Sequence, residues 1–255
     1  MTAPASRRAH SFNTAAAQYA AHRPSYPAAL FDAAETLAGR PLAGADVIDV
    51  GAGTGIATAL LVDRGAHVVA VEPGQGMARE FRRALPEVPL VRGDGDALPF
   101  ADASADFITY AQAWHWPDQT RSVPEAVRVL RPGGALALWW NIPDTTLPWL
   151  AEQGERISRC LGFDDGARHT ADRTRTSELT SALDFRAERV RWTRRVSVDT
   201  HLAGLGTHSA FLVLGEERAT AFFAEERTRL LTVFPDGFVE EGYVVDLLVA
   251  TRPGP

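Results

Sequence analysis

The chain has 255 residues, 45% of them hydrophobic, and 32 acidic against 26 basic residues for a net charge of −6. It is apolar enough to fold around a large core, and its acidic balance excludes broad contact with phosphate backbones, which needs basic surface. Every one of the 26 basic residues is arginine, so the chain can supply no Schiff base, no P-loop lysine and no Tyr-x-x-x-Lys pair. Cys160 is the only cysteine, which excludes an internal disulfide and a thiolate metal cluster. Met1 to His10 is polar and basic with no apolar run behind it, and no stretch approaches 18 apolar residues. The expectation is a soluble, cytoplasmic protein with no signal peptide and no membrane span.

In chain order, the apolar positions Ala29, Leu30, Ala33, Ala34 and Leu37 recur at helical spacing and Gly39 stands where the helix should end. ADVIDVGAGTG is a short apolar strand running into glycines, and IATALLVDRG a helix closed by Gly65. HVVAVE is a second strand, GMAREFRRAL a second helix, VPLVRGD a third strand and ADFITYA a fourth. Val123, Val127 and Leu130 mark a helix expected to carry Pro124 in its first turn. GGALALWWN is a fifth strand. Strand and helix alternate through residues 46–141, which predicts a parallel sheet covered by helices. Residues 144–182 read as helices and loops. RVRWTRRVSV and GYVVDLLVATRP read as two long strands with the helical EERATAFFAEERTRLL between them. The expectation is a single α/β domain over 1–255: an N-terminal helical lid (1–43), a cofactor-binding core (44–141), and acceptor-side helices with a terminal strand pair (142–255).

The sharpest local signal is Asp49-Val-Gly51-Ala-Gly53-Thr-Gly55, between the first strand and the next helix. Glycines there allow close backbone approach to a ligand, and the helix start offers unpaired N–H groups. Glu72 ends the second strand 21 residues after Gly51, where a carboxylate can accept from both hydroxyls of a ribose. A dinucleotide loop of the G-x-G-x-x-G type would need glycine at 56, where Ile56 stands. The pattern G-x-G-x-G suits a ligand presenting an amine and a carboxylate. After the third strand, Gly93-Asp94-Gly95-Asp96-Ala-Leu-Pro-Phe100 offers a carboxylate to an adenine amino group.

Together these residues resemble the class I S-adenosylmethionine-dependent methyltransferases, over roughly residues 44–141. DVGAGTG looks like their motif I, Glu72 like their ribose acid, GDGDALPF like their adenine segment and RVLRPGG (128–134) like their lead-in to strand five. The resemblance implies a Rossmann-like seven-stranded sheet of order 3-2-1-4-5-7-6, strand 7 antiparallel, with helices on both faces. It implies S-adenosyl-L-methionine as cofactor and S-adenosyl-L-homocysteine as product. The implied cofactor residues are Tyr19, Arg23, Asp49, Gly51, Ala52, Gly53, Thr54 and Gly55, then Glu72, Pro73 and Met77, then Asp94, Gly95, Asp96 and Gln112. Two stretches resemble the trans-aconitate methyltransferase-like subgroup. One is Y-x-x-x-R-P-x-Y-P, carried by Tyr19, Arg23, Pro24, Tyr26 and Pro27. The other is Q-x-x-H-W, carried by Gln112, His115 and Trp116.

Residues 110–118, YAQAWHWPD, hold the candidate chemistry. Methyl transfer from a sulfonium needs acceptor and methyl at near-attack distance with water excluded. His115 is the candidate catalytic group: a base for a hydroxyl or amine acceptor, or a positioning group for a carboxylate, with a packed imidazole as the alternative. Tyr26, Trp114, Trp116, Trp140, Asn141 and His208 are candidates for the acceptor pocket, with core packing the alternative for the tryptophans. No carboxylate pair stands after strands four and five, so no metal is expected. His10, His22, His67, His169 and His201 have no ligand-like spacing. The reading is methyl transfer to a small molecule, an oxygen nucleophile on a carboxylic acid or natural-product intermediate, with no nucleic-acid or membrane partner and no prediction of oligomeric state. C-methylation of a quinone-like ring, a nicotinamide-dependent oxidoreductase, and a cofactor-binding protein without turnover are the alternatives.

Overall fold

The structure, a computed structural model, describes residues 16–162 and 183–254. A helical stretch covers residues 16–22. Then follow α1 (Ala28–Ala38), β1 (Asp46–Val50), α2 (Ile56–Asp63), β2 (His67–Val71), α3 (Gln75–Ala84), β3 (Leu90–Val91) and β4 (Ala105–Ala111). After these come α4 (Gln119–Val129), β5 (Leu130–Pro143), α5 (Pro148–Leu161), β6 (Phe185–Ser197), α6 (Val198–Gly206), α7 (Ser209–Leu212), α8 (Glu216–Val233) and β7 (Phe238–Thr251). The expected His169 and residues 163–182 lie outside the described residues, as do residues 1–15 of the expected lid.

The seven strands form one sheet of order β3-β2-β1-β4-β5-β7-β6, the Rossmann-like α/β order expected. β1 pairs in parallel with β2 and β4, β2 with β3, and β4 with β5. β7 runs the other way. Gly133 N donates to Arg252 O and Arg252 N to Gly134 O, while Asp144 N donates to Gly242 O. The start of β5 therefore meets the end of β7, and the end of β5 meets its start. The RPGG of β5 enters as a register shift: Ala105 faces Leu130, and Phe107 already faces Ala135.

Two helix ends follow the expected glycines. Gly39 caps α1 at φ +68°, and Gly65, after α2, stands at φ +82°. α4 departs from expectation. It begins at Gln119, where the Asp118 side chain accepts from Thr120 N at 3.0 Å, so Pro124 sits inside the helix rather than in its first turn. An aspartate N-cap outweighs a proline's preference for the first helical position because it satisfies an otherwise orphaned N–H. The terminal strands are longer than the apolar patterns suggested, since alternating arginines in β6 hide its length.

The described residues divide into two compact units. One draws on residues 25–141, 183–190 and 245–254, and its core joins Ile48, Val50, Ile108, Tyr110, Trp114, Leu136 and Leu138. Four of the five residues of β1 are buried, the near-continuous run expected of a parallel strand covered on both faces. The other unit draws on residues 16–24, 142–162 and 191–244, with Val198, Leu202, Leu230 and Val239 at its centre. No helix among the described residues is long and apolar enough to cross a membrane.

Candidate functional site

The loop joining β1 to α2 needs glycine three times, because Gly51, Gly53 and Gly55 stand at φ +69°, +60° and +92°, a region that costs any residue with a Cβ. Gly51 also brings two parts of the unit together: a Cβ there would lie 2.5 Å from Ala113 Cβ. The loop is pinned from below. Gly51 N and Ala52 N donate to Val71 O at 2.8 and 3.1 Å. Glu72, 6% exposed, accepts from Gly53 N at 2.9 Å and from Gly74 N at 2.6 Å. Burial raises its carboxyl above the usual range, and those two N–H groups partly offset the effect.

Asp49 is placed differently from the expectation of a ligand contact. It is fully buried, and its carboxylate accepts from Thr58 Oγ1 at 2.6 Å and Thr109 Oγ1 at 2.8 Å. Burial pushes its carboxyl up to about 6, against the pull of the two hydroxyls. It ties β1, α2 and β4 together beneath the loop. Ala52 and Thr54 are buried, and Thr54 Oγ1 finds no hydrogen-bond partner among the described residues. Met77 is buried on α3, and Pro73 is exposed with its carbonyl taken by Arg92.

Residues 93–100, expected to meet adenine, are held by contacts from within the segment and from α4. Asp94, exposed, accepts from Asp96 N at 3.0 Å, and Asp96 accepts from Asp118 N at 2.7 Å. Gly95 is obligatory for a reason other than its φ: a Cβ there would lie 2.6 Å from Tyr110 Oη. That phenol is buried and pushed well above its usual range, by burial first and then by Asp96 and Asp94. Arg128, in the RVLRPGG stretch, donates to the carbonyls of Phe100 and Leu98 at 2.9 and 3.1 Å and to Glu125 at 2.7 Å. Glu125 in turn accepts from Leu98 N at 2.8 Å. One arginine thus fastens the segment to α4.

In YAQAWHWPD the two tryptophans have opposite environments. Trp114 is 1% exposed and packs edge-on against Tyr110, ring centroids 4.6 Å apart, so it takes the core-packing alternative. Trp116 is 37% exposed and lies 4.5 Å from the half-buried His115 ring. The chain turns at Gln112, whose φ of +59° is unusual for a residue with a side chain. Its N–H donates to Trp139 O at 2.9 Å and its Nε2 to Asn141 O at 3.3 Å. Trp140 is half-buried against the core, whereas Trp139, which drew no attention in the sequence, is buried edge-on to Tyr26 at 5.9 Å.

This unit therefore gathers the glycine loop, Glu72, Asp94 to Asp96, Gln112, His115, Trp116, Trp140, Asn141 and Tyr26. Tyr19, Arg23 and His208 belong to the other unit, where they form a set of their own. The Arg23 guanidinium lies 4.8 Å over the Tyr19 ring and its Nη1 is 3.3 Å from His208 Nε2.

Residues 48–138 match the methyltransferase domain family. Around this stretch, the chain is 46% identical over 149 residues to an uncharacterized methyltransferase of Mycobacterium tuberculosis, covering 58% of this chain and 59% of that one. It is 31% identical over 165 residues to a demethylmenaquinone methyltransferase of Renibacterium salmoninarum, covering 64% of this chain and 66% of the relative. The chain spans about three fifths of the length of the first relatives it matches. A solved structure from Anaeromyxobacter dehalogenans, assigned as a type II methyltransferase, superposes with a TM-score of 0.71 at 25% identity, over 91% of this chain and 99% of that one. The residues present fit the amino-acid end of the cofactor that this match implies. The loop leaves Gly53 open, with the Gly51 carbonyl 4.0 Å from an added Cβ, and the buried Thr54 hydroxyl has no partner among the described residues.

Proposed function

We propose that the chain transfers a methyl group from S-adenosylmethionine to a small-molecule acceptor. The observation that carries this reading is the methyltransferase match over 48–138, falling on a loop built with three left-handed glycines and braced by Glu72. The cofactor supplies an electrophilic methyl on a sulfonium. The loop would hold its amino-acid end, Glu72 its ribose and the Asp94–Asp96 turn its adenine, with Gln112 fixing the course of the chain beside them.

The acceptor is an oxygen nucleophile, a carboxylate or hydroxyl on a small acid or natural-product intermediate, as the trans-aconitate methyltransferase-like stretches suggest. His115 acts on it according to its chemistry. A hydroxyl passes its proton to a ring nitrogen as it attacks, whereas a carboxylate needs only to be oriented. Trp116, beside His115 and partly exposed, is the aromatic wall, and Trp140 and Asn141 shape the pocket further. The demethylmenaquinone methyltransferase likeness favours a second reading, C-methylation of a quinone-like ring.

Release of S-adenosylhomocysteine across a panel of small acids, phenols, amines and quinols tests both. Turnover of acids or phenols supports the first, and turnover of quinols alone replaces it with the second. Binding of NAD in place of S-adenosylhomocysteine overturns both.

A further inference from the structure

The nine residues YAQAWHWPD rest on both of the segments that the methyltransferase reading gives to the cofactor. Their first residue, Tyr110, abuts the Asp94–Asp96 turn, since a Cβ on the buried Gly95 would meet its Oη at 2.6 Å. The same Cβ would lie 3.3 Å from Pro117 Cβ, near their other end. Their last residue, Asp118, donates its N–H to Asp96 Oδ1 at 2.7 Å. Midway, Ala113 meets the glycine loop, 2.5 Å from a Cβ placed on Gly51. His115 and Trp116 lie between the Gly51 contact and the Asp118 bond, in a turn that Trp116 N closes by donating to Ala113 O at 3.1 Å.

The two ends of this stretch are fixed by different means. Gln112 N donates to Trp139 O on β5 at 2.9 Å, so the sheet sets where the turn begins. A carboxylate sets where it ends. Asp96 N donates to Asp94 Oδ1 at 3.0 Å while the Asp96 side chain accepts from Asp118 N. The contacts therefore run in series from the Asp94 side chain, through Asp96, to the Asp118 backbone. Asp118 is also the N-cap of α4, accepting from Thr120 N at 3.0 Å, so the helix starts where the series stops. An ionised acceptor makes the stronger bond to a backbone N–H, and its charge is favoured at a helix start. Asp94 is exposed and has lone pairs beyond the one given to Asp96 N, enough to accept from an adenine amino group as well.

We propose that Asp96 is a positioning residue whose carboxylate couples cofactor binding at the Asp94–Asp96 turn to the ordering of the loop that carries His115 and Trp116. The inference rests on the methyltransferase reading above. It gives the Asp96 side chain a role other than direct contact with the cofactor. A cofactor that braces the turn fixes Asp96, Asp96 fixes Asp118, and the loop is then held at both ends. The coupling is reciprocal, so a loop held by Asp96 also keeps the turn in the form that binds.

The test uses the full chain, 15N-labelled, with S-adenosylhomocysteine as the probe. Amide hydrogen exchange at Gln112, Trp116 and Asp118 is read by NMR with and without saturating probe, and affinity by calorimetry. In wild type the probe should slow Trp116 and Asp118 about tenfold or more, with little change at Gln112. Asp96→Ala should abolish the slowing at Trp116, whose amide is bonded to Ala113 O and not to Asp96. It should weaken the probe's affinity by about the same factor. Asp96→Asn, whose amide oxygen can still accept from Asp118 N, should keep much of both effects. The amides of β1 report that each variant stays folded. Slowing at Trp116 that survives Asp96→Ala overturns the proposal, and so does a wild-type loop indifferent to the probe. A wild-type chain that does not bind the probe removes the methyltransferase reading itself, and this coupling with it.

Discussion

Two buried carboxylates, Asp49 in the unit that carries the glycine loop and Glu241 in the other, are desolvated and yet respond oppositely. Asp49 has only neutral hydroxyls for partners, and burial pushes its carboxyl up to about 6. Burial works on Glu241 in the same direction, but His201 and Arg194 more than offset it and hold that carboxyl below the usual range. A hydroxyl can satisfy a carboxylate's lone pairs without cancelling its charge, and only a cation does both. The core therefore keeps a carboxyl that takes up a proton readily and can serve the neutral or charged state. The other unit commits Glu241 and Glu226 to charge pairs and is correspondingly brittle toward their loss.

The largest effect should come from breaking such a pair. Glu226→Ala strands Arg156 and Arg229 and removes the acceptor for Gln153, an expected loss of about 3–5 kcal/mol of stability in urea unfolding. Asp49→Asn should behave in the opposite sense, because Thr58 and Thr109 can each turn to donate or accept. The native protein holds the Asp49 proton more tightly than the unfolded chain, so wild-type stability falls as pH rises from about 4 to about 6, the window between 3.8 and the raised value. The asparagine variant lacks that fall, and should gain up to about 3 kcal/mol on wild type by pH 7. Equal pH dependence in the two proteins would remove the contrast. Gly51→Ala, forced into a left-handed φ with its Cβ on Ala113, should cost about 1–2 kcal/mol and weaken S-adenosylhomocysteine binding more than tenfold by calorimetry. Trp116→Ala should change stability by less than about 0.5 kcal/mol while lowering turnover. The same change at Trp114, its buried neighbour, should cost about 3–5 kcal/mol.

The glycine loop and Glu72 were legible in the sequence because they answer to backbone needs that few residues meet, at a spacing set by one strand, one helix and the next strand. Their supports were not. Thr58 and Thr109 lie 9 and 60 residues from Asp49, and a threonine in a strand or helix announces no partner. Thr109 inside the apolar ADFITYA was the one available signal, a polar residue at a core position. YAQAWHWPD showed that aromatics gather after β4 but not which of them faces inward, since the positive φ at Gln112 breaks the alternation that would have told. His201 was set aside for lack of ligand-like spacing. Its partners stand 40 and 48 residues away on other elements, and only the closed fold brings them within reach.

The contact between Gly51 and Ala113 reaches past this molecule to any attempt to reshape it. With only room for a methyl group opposite the loop, position 113 is as restricted as the glycine itself, although alanine carries no mark of constraint in a sequence so rich in it. Libraries that randomise the residues around His115 in search of new acceptors should leave Ala113 alone, or allow it to become only glycine. Diversity belongs at Trp116, which is 37% exposed.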